Sequence, residues 1–88
     1  MNKYLTEIKK LADGLMEKGI GFTFHALHDG YQVEVKDPKT QEYLWDAVCH
    51  NFSYGHNEGL LEIMGIIVEN DYDAIEGWLT AEDILARV

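Results

Sequence analysis

The fold is decided by residues 49–61, whose sequence is Cys49-His50-Asn51-Phe52-Ser53-Tyr54-Gly55-His56-Asn57-Glu58-Gly59-Leu60-Leu61. This stretch holds the only cysteine, two of the four histidines and the densest run of turn-prone polar residues. We expect it to join a small β-sheet, formed by the residues before it, to helices at the C-terminus. No complete catalytic or binding motif lies here or elsewhere, so function must be inferred from charge, spacing and resemblance.

The N-terminal segment has the spacing of an amphipathic helix over residues 3–18. Asn2 is a suitable N-cap, and Lys18-Gly19 supplies a cation and a flexible residue where the helix should stop. One apolar stripe runs along the segment and predicts a helix that covers the core. The stripe consists of Leu5, Ile8, Leu11, Ala12 and Leu15.

Two apolar runs, residues 22–27 and 31–36, flank Asp29-Gly30, which is a strong two-residue hairpin signal. A turn at Asp29-Gly30 puts all the apolar residues on one face, whereas a one-residue slip would mix polar groups into it. The predicted register pairs His28 with Tyr31, Ala26 with Val33, and Phe24 with Val35.

Residues 42–49 fit either a strand or a helix. We favour a third antiparallel strand, because a hairpin alone is barely stable and needs another strand or a packed surface. As a strand, this segment ends beside the tip of the hairpin. Cys49 and His50 should then approach His28.

The residues after this strand predict two helices. Asn57 is a candidate cap for the first, whose apolar face would be Leu60, Leu61, Met64, Ile67 and Val68. An acidic loop at 69–73 follows, and Thr80-Ala81-Glu82-Asp83 resembles a capping box for a short final helix to about Val88. The predicted fold is a single α+β domain, residues 1–88, in the order α-β-β-β-α-α. Its three-stranded antiparallel sheet carries the helices on one face.

Charge is divided unevenly along the chain. Residues 1–41 have a net charge of zero, whereas residues 42–88 contain ten acidic residues and one basic residue, Arg87, for a net charge of −9. Direct binding to DNA or RNA depends on neutralising phosphates and is therefore not expected. The acidic half would suit a basic partner, although acidic residues also simply keep small domains soluble.

Aromatic residues stand among these carboxylates, as on binding surfaces where rings supply affinity and charge supplies steering. Trp78 fits a core position equally well. The candidate partner-binding residues are Glu58, Glu62, Glu69, Asp71, Tyr72, Asp73, Glu76 and Trp78.

The convergence of a thiol and imidazoles is compatible with zinc, which would stabilise so small a domain. The candidate ligands are His28, Cys49, His50 and His56, although their spacing is not an established ligand pattern. A buried cysteine with surface histidines is the alternative. Cys49 with a histidine could also form a nucleophile–base pair in a small cysteine-dependent enzyme, but no orienting group or oxyanion hole accompanies it.

Three segments resemble small accessory proteins encoded by phages and prophages of Gram-positive bacteria. They are Cys49-His50 through Ser53-Tyr54-Gly55, Glu58-Gly59-Leu60-Leu61-Glu62-Ile63-Met64-Gly65, and Glu76-Gly77-Trp78-Leu79-Thr80-Ala81-Glu82-Asp83. The resemblance covers about the C-terminal half and implies an accessory protein of a mobile element. By analogy with anti-CRISPR inhibitors, it predicts a non-enzymatic protein that binds a basic surface of a nucleic-acid-processing protein such as an RNA-guided DNA nuclease.

Three sequence features predict location in the host-cell cytoplasm, away from membranes. One cysteine cannot form an internal disulfide, and the first residues lack the hydrophobic stretch of a signal peptide. The longest apolar run is too short to span a bilayer.

Overall fold

Five antiparallel strands follow one another across the sheet formed by the described residues. The computed structural model describes residues 2–69 and 74–88. The strand order is β1-β2-β3-β4-β5, so each strand pairs with its neighbour in sequence. In chain order the elements are α1 (Lys3–Glu17), β1 (Thr23–Leu27), β2 (Gly30–Lys36), β3 (Tyr43–Cys49), a 3₁₀ turn (His56–Glu58), β4 (Leu61–Gly65), β5 (Ile75–Leu79) and α2 (Ala81–Leu85).

The predicted first helix is confirmed as α1. The side chain of Asn2 accepts a hydrogen bond from the backbone N–H of Tyr4 at 2.9 Å, which caps the first turn. Four residues of the predicted stripe are buried and pack against β2 and β3: Ile8, Leu11, Ala12 and Leu15.

The hairpin forms, but its register differs from the prediction. Gly30 pairs with Leu27, so the turn residues are His28 and Asp29. Each residue of β1 pairs with the residue of β2 that lies two positions before its predicted partner. Phe24, for example, pairs with Val33 rather than with Val35. Because the shift is an even number, every side chain keeps its predicted face.

Close approach of two strands explains this register. A Cβ on Gly30 would collide with the carbonyl oxygen of Cys49 and lie 2.8 Å from the Cα of His50. The glycine is therefore used where β2 meets β3, and His28 takes the positive φ of the turn, 55°. Histidine is among the residues that adopt this conformation more readily than most. The third strand, β3, is confirmed beside β2.

The prediction of a three-stranded sheet in the order α-β-β-β-α-α is wrong. Residues 61–65 form β4 where we predicted a helix, and residues 75–79 form β5. Within β4, the buried residues Leu61 and Ile63 alternate with the more exposed Glu62 and Met64. Pairing with the central strand β3 buries this alternating face, which outweighs the helical spacing of the same apolar run.

The predicted capping box of the final helix is confirmed. Thr80 Oγ1 accepts a hydrogen bond from Asp83 N at 3.1 Å, and Thr80 N donates to Asp83 Oδ2 at 2.9 Å. Glu7 of α1 also accepts a hydrogen bond from Ala81 N at 2.9 Å, which ties the two helices together. The helix ends at Leu85 rather than near Val88.

Both helices pack on one face of the sheet. Their buried side chains join a cluster with strand residues that share this face. The cluster comprises Ile8, Leu11, Ala12, Leu15, Val33, Val35, Trp45, Ala47, Cys49, Leu61, Ile63, Leu79, Ala81 and Ile84. Val48 is buried but lies outside the cluster, because it points to the opposite face.

Candidate binding surface

The face of the sheet opposite the helices carries polar, acidic and aromatic side chains. We call it the open face. Its residues alternate with those of the core and line up across the strands in two rows. One row is Thr23, Glu34, Asp46, Met64 and Ile75; the other is His25, Gln32, Val48 and Glu62.

A hydrogen-bonded chain holds the centre of the open face. Asp46, only 7% exposed, accepts hydrogen bonds from the Tyr43 hydroxyl at 2.5 Å and from Gln32 Nε2 at 3.0 Å. The Gln32 amide oxygen lies 2.6 Å from His25 Nε2, so that nitrogen acts as the donor. Burial first, and then the bond to Asp46, raises the pKa of Tyr43 far above its usual value. These hydrogen bonds link two rings to the Asp46 carboxylate: Tyr43 directly and His25 through Gln32.

A bulge explains how Tyr43 reaches this face. Val35 pairs with Trp45, but the next residue, Lys36, pairs with Tyr43, so Leu44 is the extra residue of β3. The extra residue reverses the alternation. Tyr43 therefore joins the open face while Leu44 packs against the core.

Two exposed aromatic rings lie at the β5 end of the open face. The rings of Tyr54 and Trp78 are stacked, with centroids 5.6 Å apart and planes inclined by 4°. They remain 50% and 58% exposed, respectively. We call this pair the aromatic stack. A parallel pair of half-exposed rings is a surface that can receive a flat or cationic group.

A second bulge presents Trp78 in the aromatic stack. Leu61 pairs with Leu79 and Ile63 with Glu76, so Gly77 and Trp78 together oppose Glu62. Trp78 has a φ of 57°, an unusual conformation for a bulky residue that costs roughly 1–2 kcal/mol.

The loop that carries Tyr54 is held against this bulge. Tyr54 N donates a hydrogen bond to Glu62 Oε1 at 2.9 Å, and Trp78 N donates to Tyr54 O at 3.4 Å. A Cβ on Gly77 would collide with the Cβ of Tyr54, and a Cβ on Gly55 would lie 3.0 Å from the Trp78 backbone. The two glycines thus permit the close approach that brings the rings together.

The predicted partner-binding residues occupy several different positions. Glu58 lies exposed in the 3₁₀ turn, and Glu62 supports the aromatic stack. Glu69 is exposed and pairs with Arg87 at 3.5 Å. Trp78 is at the surface rather than in the core. Three of the predicted residues, Asp71, Tyr72 and Asp73, lie outside the described residues.

Glu76, also predicted to bind a partner, forms an ion pair with Arg87 within the fold. Its two carboxylate oxygens accept hydrogen bonds from Arg87 Nη1 at 2.9 Å and Nη2 at 2.7 Å. Arg87 Nη1 also donates to Ile67 O at 3.1 Å. The hydrogen bonds from the Arg87 side chain lower the pKa of Glu76 to about 2. This ion pair joins β5 to the end of the chain.

The four predicted zinc ligands are only partly brought together. The rings of His28 and His50 lie 4.8 Å apart, and Phe52 packs against both of them. His56 faces Tyr4, and its Nδ1 lies 2.7 Å from Ser53 O. Within residues 2–69 and 74–88, no group of three or more His, Cys, Asp or Glu side chains has a metal-binding arrangement. Zinc binding stays a prediction.

His50 has a role in shaping the loop. Its Nδ1 accepts a hydrogen bond from Phe52 N at 3.1 Å, so the neutral ring carries its proton on Nε2. Burial, followed by the nearby His28, lowers the pKa of His50. The neutral form of His50 therefore stabilises the start of the loop that carries Tyr54.

Cys49 is fully buried in the core, and burial raises the pKa of its thiol to about 11. We expect iodoacetamide to alkylate the native chain roughly 100-fold more slowly than the urea-unfolded chain at pH 7.5, because the thiolate is the reactive form. Mass spectrometry of timed samples measures both rates. Equal rates would contradict this and would make Cys49 a credible nucleophile.

Sequence reasoning missed most of this surface, including Tyr43, Asp46, Tyr54 and Met64. The alternation of Leu61, Glu62, Ile63 and Met64 was the available signal for Met64, since a strand places alternate residues on opposite faces. A bulge positions Tyr43, and the packing of its loop positions Tyr54. Neither can be predicted from a local sequence pattern.

Comparison with known proteins adds no relative from which a function can be transferred. No family model, curated protein or solved structure matched the chain. No helix within the described ranges is both long and apolar enough to cross a membrane.

Proposed function

We propose that this protein is a non-enzymatic inhibitor of the phage accessory type, acting in the host cytoplasm. Its acidic C-terminal half binds a basic surface of a nucleic-acid-processing protein, such as an RNA-guided DNA nuclease. Such proteins carry Lys and Arg along the grooves that hold nucleic acid, so an acidic surface is complementary to them.

The pairing of charges within the chain is the observation that carries this proposal. Among the described ion pairs, every lysine pairs with an acidic residue of the N-terminal half, in Lys9–Asp13, Lys10–Glu7 and Lys36–Glu34. Arg87, the one basic residue of 42–88, is held by Glu76 and Glu69. Within residues 42–69 and 74–88, only Glu69 and Glu76 among the carboxylates meet a basic side chain in these ion pairs. A basic partner would supply the missing charge.

Competition with nucleic acid is expected from this choice of partner. An acidic protein seated in a basic groove occupies the place of the phosphate backbone. The binding should weaken as salt rises, because exposed charge attraction is screened. Short duplex DNA should displace the protein from its partner.

Cleavage of target DNA by a panel of purified RNA-guided nucleases tests the proposal. The native protein should inhibit at least one nuclease at low salt, and inhibition should weaken as salt is raised. Reversing Glu58 and Glu69 to lysine should raise the inhibitory concentration about 10-fold, since several exposed charge contacts are lost or become repulsive.

The matched control reverses Asp13 and Glu17, two exposed acidic residues of α1, to lysine. This variant carries the same total charge as the first, so its inhibition should change by less than about 3-fold if location matters. Circular dichroism checks that both variants are folded. Equal losses in the two variants would show that net charge alone acts, and no inhibition of any nuclease would contradict the proposed class of partner.

A further inference from the structure

We infer that the aromatic stack, Tyr54 with Trp78, is a recognition site for an arginine side chain of the partner. The inference rests on the proposed function and names the group that the acidic surface receives. It starts from the exposure of Trp78, which is 58% exposed even though Tyr54 covers one face of its indole. The other face of the indole is therefore presented to solvent.

The surroundings of the aromatic stack hold this indole in place before any partner arrives. The backbone of Trp78 is in the left-handed region, and its N–H donates to Tyr54 O. Gly55 and Gly77 allow the loop and β5 to touch. A bulky residue in this conformation is unfavourable, and such strain is concentrated at functional sites. An indole fixed in advance loses little conformational freedom on binding.

Charge decides which group suits this indole. Glu62 opposes Gly77 and Trp78 across the β4–β5 pairing, and its Oε1 accepts the Tyr54 N–H. Among the described contacts, Glu62 Oε2 has no hydrogen-bond partner and can accept another donor. A cation on the indole face with a donor directed at this carboxylate would satisfy both groups.

Arginine fits this pair of groups better than lysine does. Its guanidinium is flat and stacks on an aromatic face while its N–H groups donate in the plane to a carboxylate. A lysine ammonium is compact and strongly hydrated, and it gains less from a flat ring. The expected partner feature is an exposed arginine within a basic surface.

Two end-blocked peptides of equal length and charge test the inference: four Arg-Gly repeats and four Lys-Gly repeats. Isothermal titration calorimetry at low salt should give about 5-fold tighter binding for the arginine peptide. In Trp78→Gly this preference should disappear. Glycine suits a φ of 57°, so the variant removes the indole without adding backbone strain.

Phe52→Ala is the matched control. Phe52 is an aromatic residue of the loop that carries Tyr54, and it is 69% exposed. It packs on His28 and His50 rather than on Trp78. This variant should keep the preference for arginine. Trp78→Phe should keep part of it, since a ring remains.

The outcomes separate the inference from the proposed function. Equal binding of both peptides, unchanged in Trp78→Gly, would overturn the arginine site and leave charge-driven binding intact. Loss of arginine preference in Phe52→Ala as well would also overturn the site. No binding of either peptide at low salt would overturn both the site and the acidic binding surface.

Discussion

Replacing Gly30 with alanine should lower the free energy of unfolding by about 3 kcal/mol. The new Cβ would collide with the carbonyl oxygen of Cys49 and lie 2.8 Å from the Cα of His50. Both obstacles are backbone atoms at the end of the neighbouring strand β3, so no side-chain rotation can relieve the clash. The β2–β3 pairing must open at the hairpin end. Urea unfolding followed by circular dichroism measures the loss.

Gly21→Ala is the matched control. Within the described residues nothing lies within 4 Å of a Cβ at Gly21. We expect this variant to change stability by less than about 1 kcal/mol, with a small gain from a stiffer unfolded chain. A Gly30→Ala protein as stable as Gly21→Ala would show that β2 and β3 do not approach as closely as described.

Gly30 also shows why the hairpin register could be predicted only in part. Asp-Gly between two apolar runs is a strong turn signal. The apolar pattern also predicts correctly which side chains of the two strands share a face of the sheet. Glycine, however, serves positive φ and close backbone approach equally well. Only the neighbouring strand β3 distinguishes the two uses, and that contact is distant in sequence.

The wrong prediction for residues 60–68 has a similar cause. A short apolar run fits a helical stripe and an alternating strand alike, and pairing with β3 decides between them. Gly65 is the residue whose identity favours a strand over a helix here. It has a φ of 105°, and a Cβ there would collide with the Leu44 carbonyl oxygen. A glycine required at a strand end is consistent with β4 but unexplained in a helix interior.

The candidate binding surface could also be predicted only in part. Acidic character and the choice of Trp78 follow from the sequence, because charge and aromatic content need no geometry. Bulges at Leu44 and at Gly77-Trp78 expose Tyr43 and Trp78, and they depend on the pairing of whole strands. Helix α1 and the capping box of α2 were predictable because both are local patterns.

Replacing Arg87 with methionine should lower the free energy of unfolding by about 2 kcal/mol at pH 7. The variant loses two charge-assisted hydrogen bonds to Glu76 and one to Ile67 O, and it leaves the Glu76 carboxylate without its cation. Lys9→Met is the control, because Lys9 pairs with Asp13 on an exposed helix surface. Its loss should cost less than about 0.5 kcal/mol.

The cost of Arg87→Met should also depend on pH, with a sign set by Glu76. The folded chain holds the pKa of Glu76 at about 2, below its ordinary value of 4.5. The ion pair therefore contributes fully above about pH 5, and its contribution falls as the pH drops through 4.5 towards 2. Urea unfolding at pH 7, 5 and 3 should show the difference between native chain and variant shrinking at pH 3. A difference that stayed constant would exclude Glu76 as the titrating partner.

Because Arg87 is the only basic residue of 42–88, the variant also makes this half more acidic. Inhibition by the folded variant should then be undiminished, which would separate the ion pair of Glu76 within the fold from the proposed binding by the exposed carboxylates.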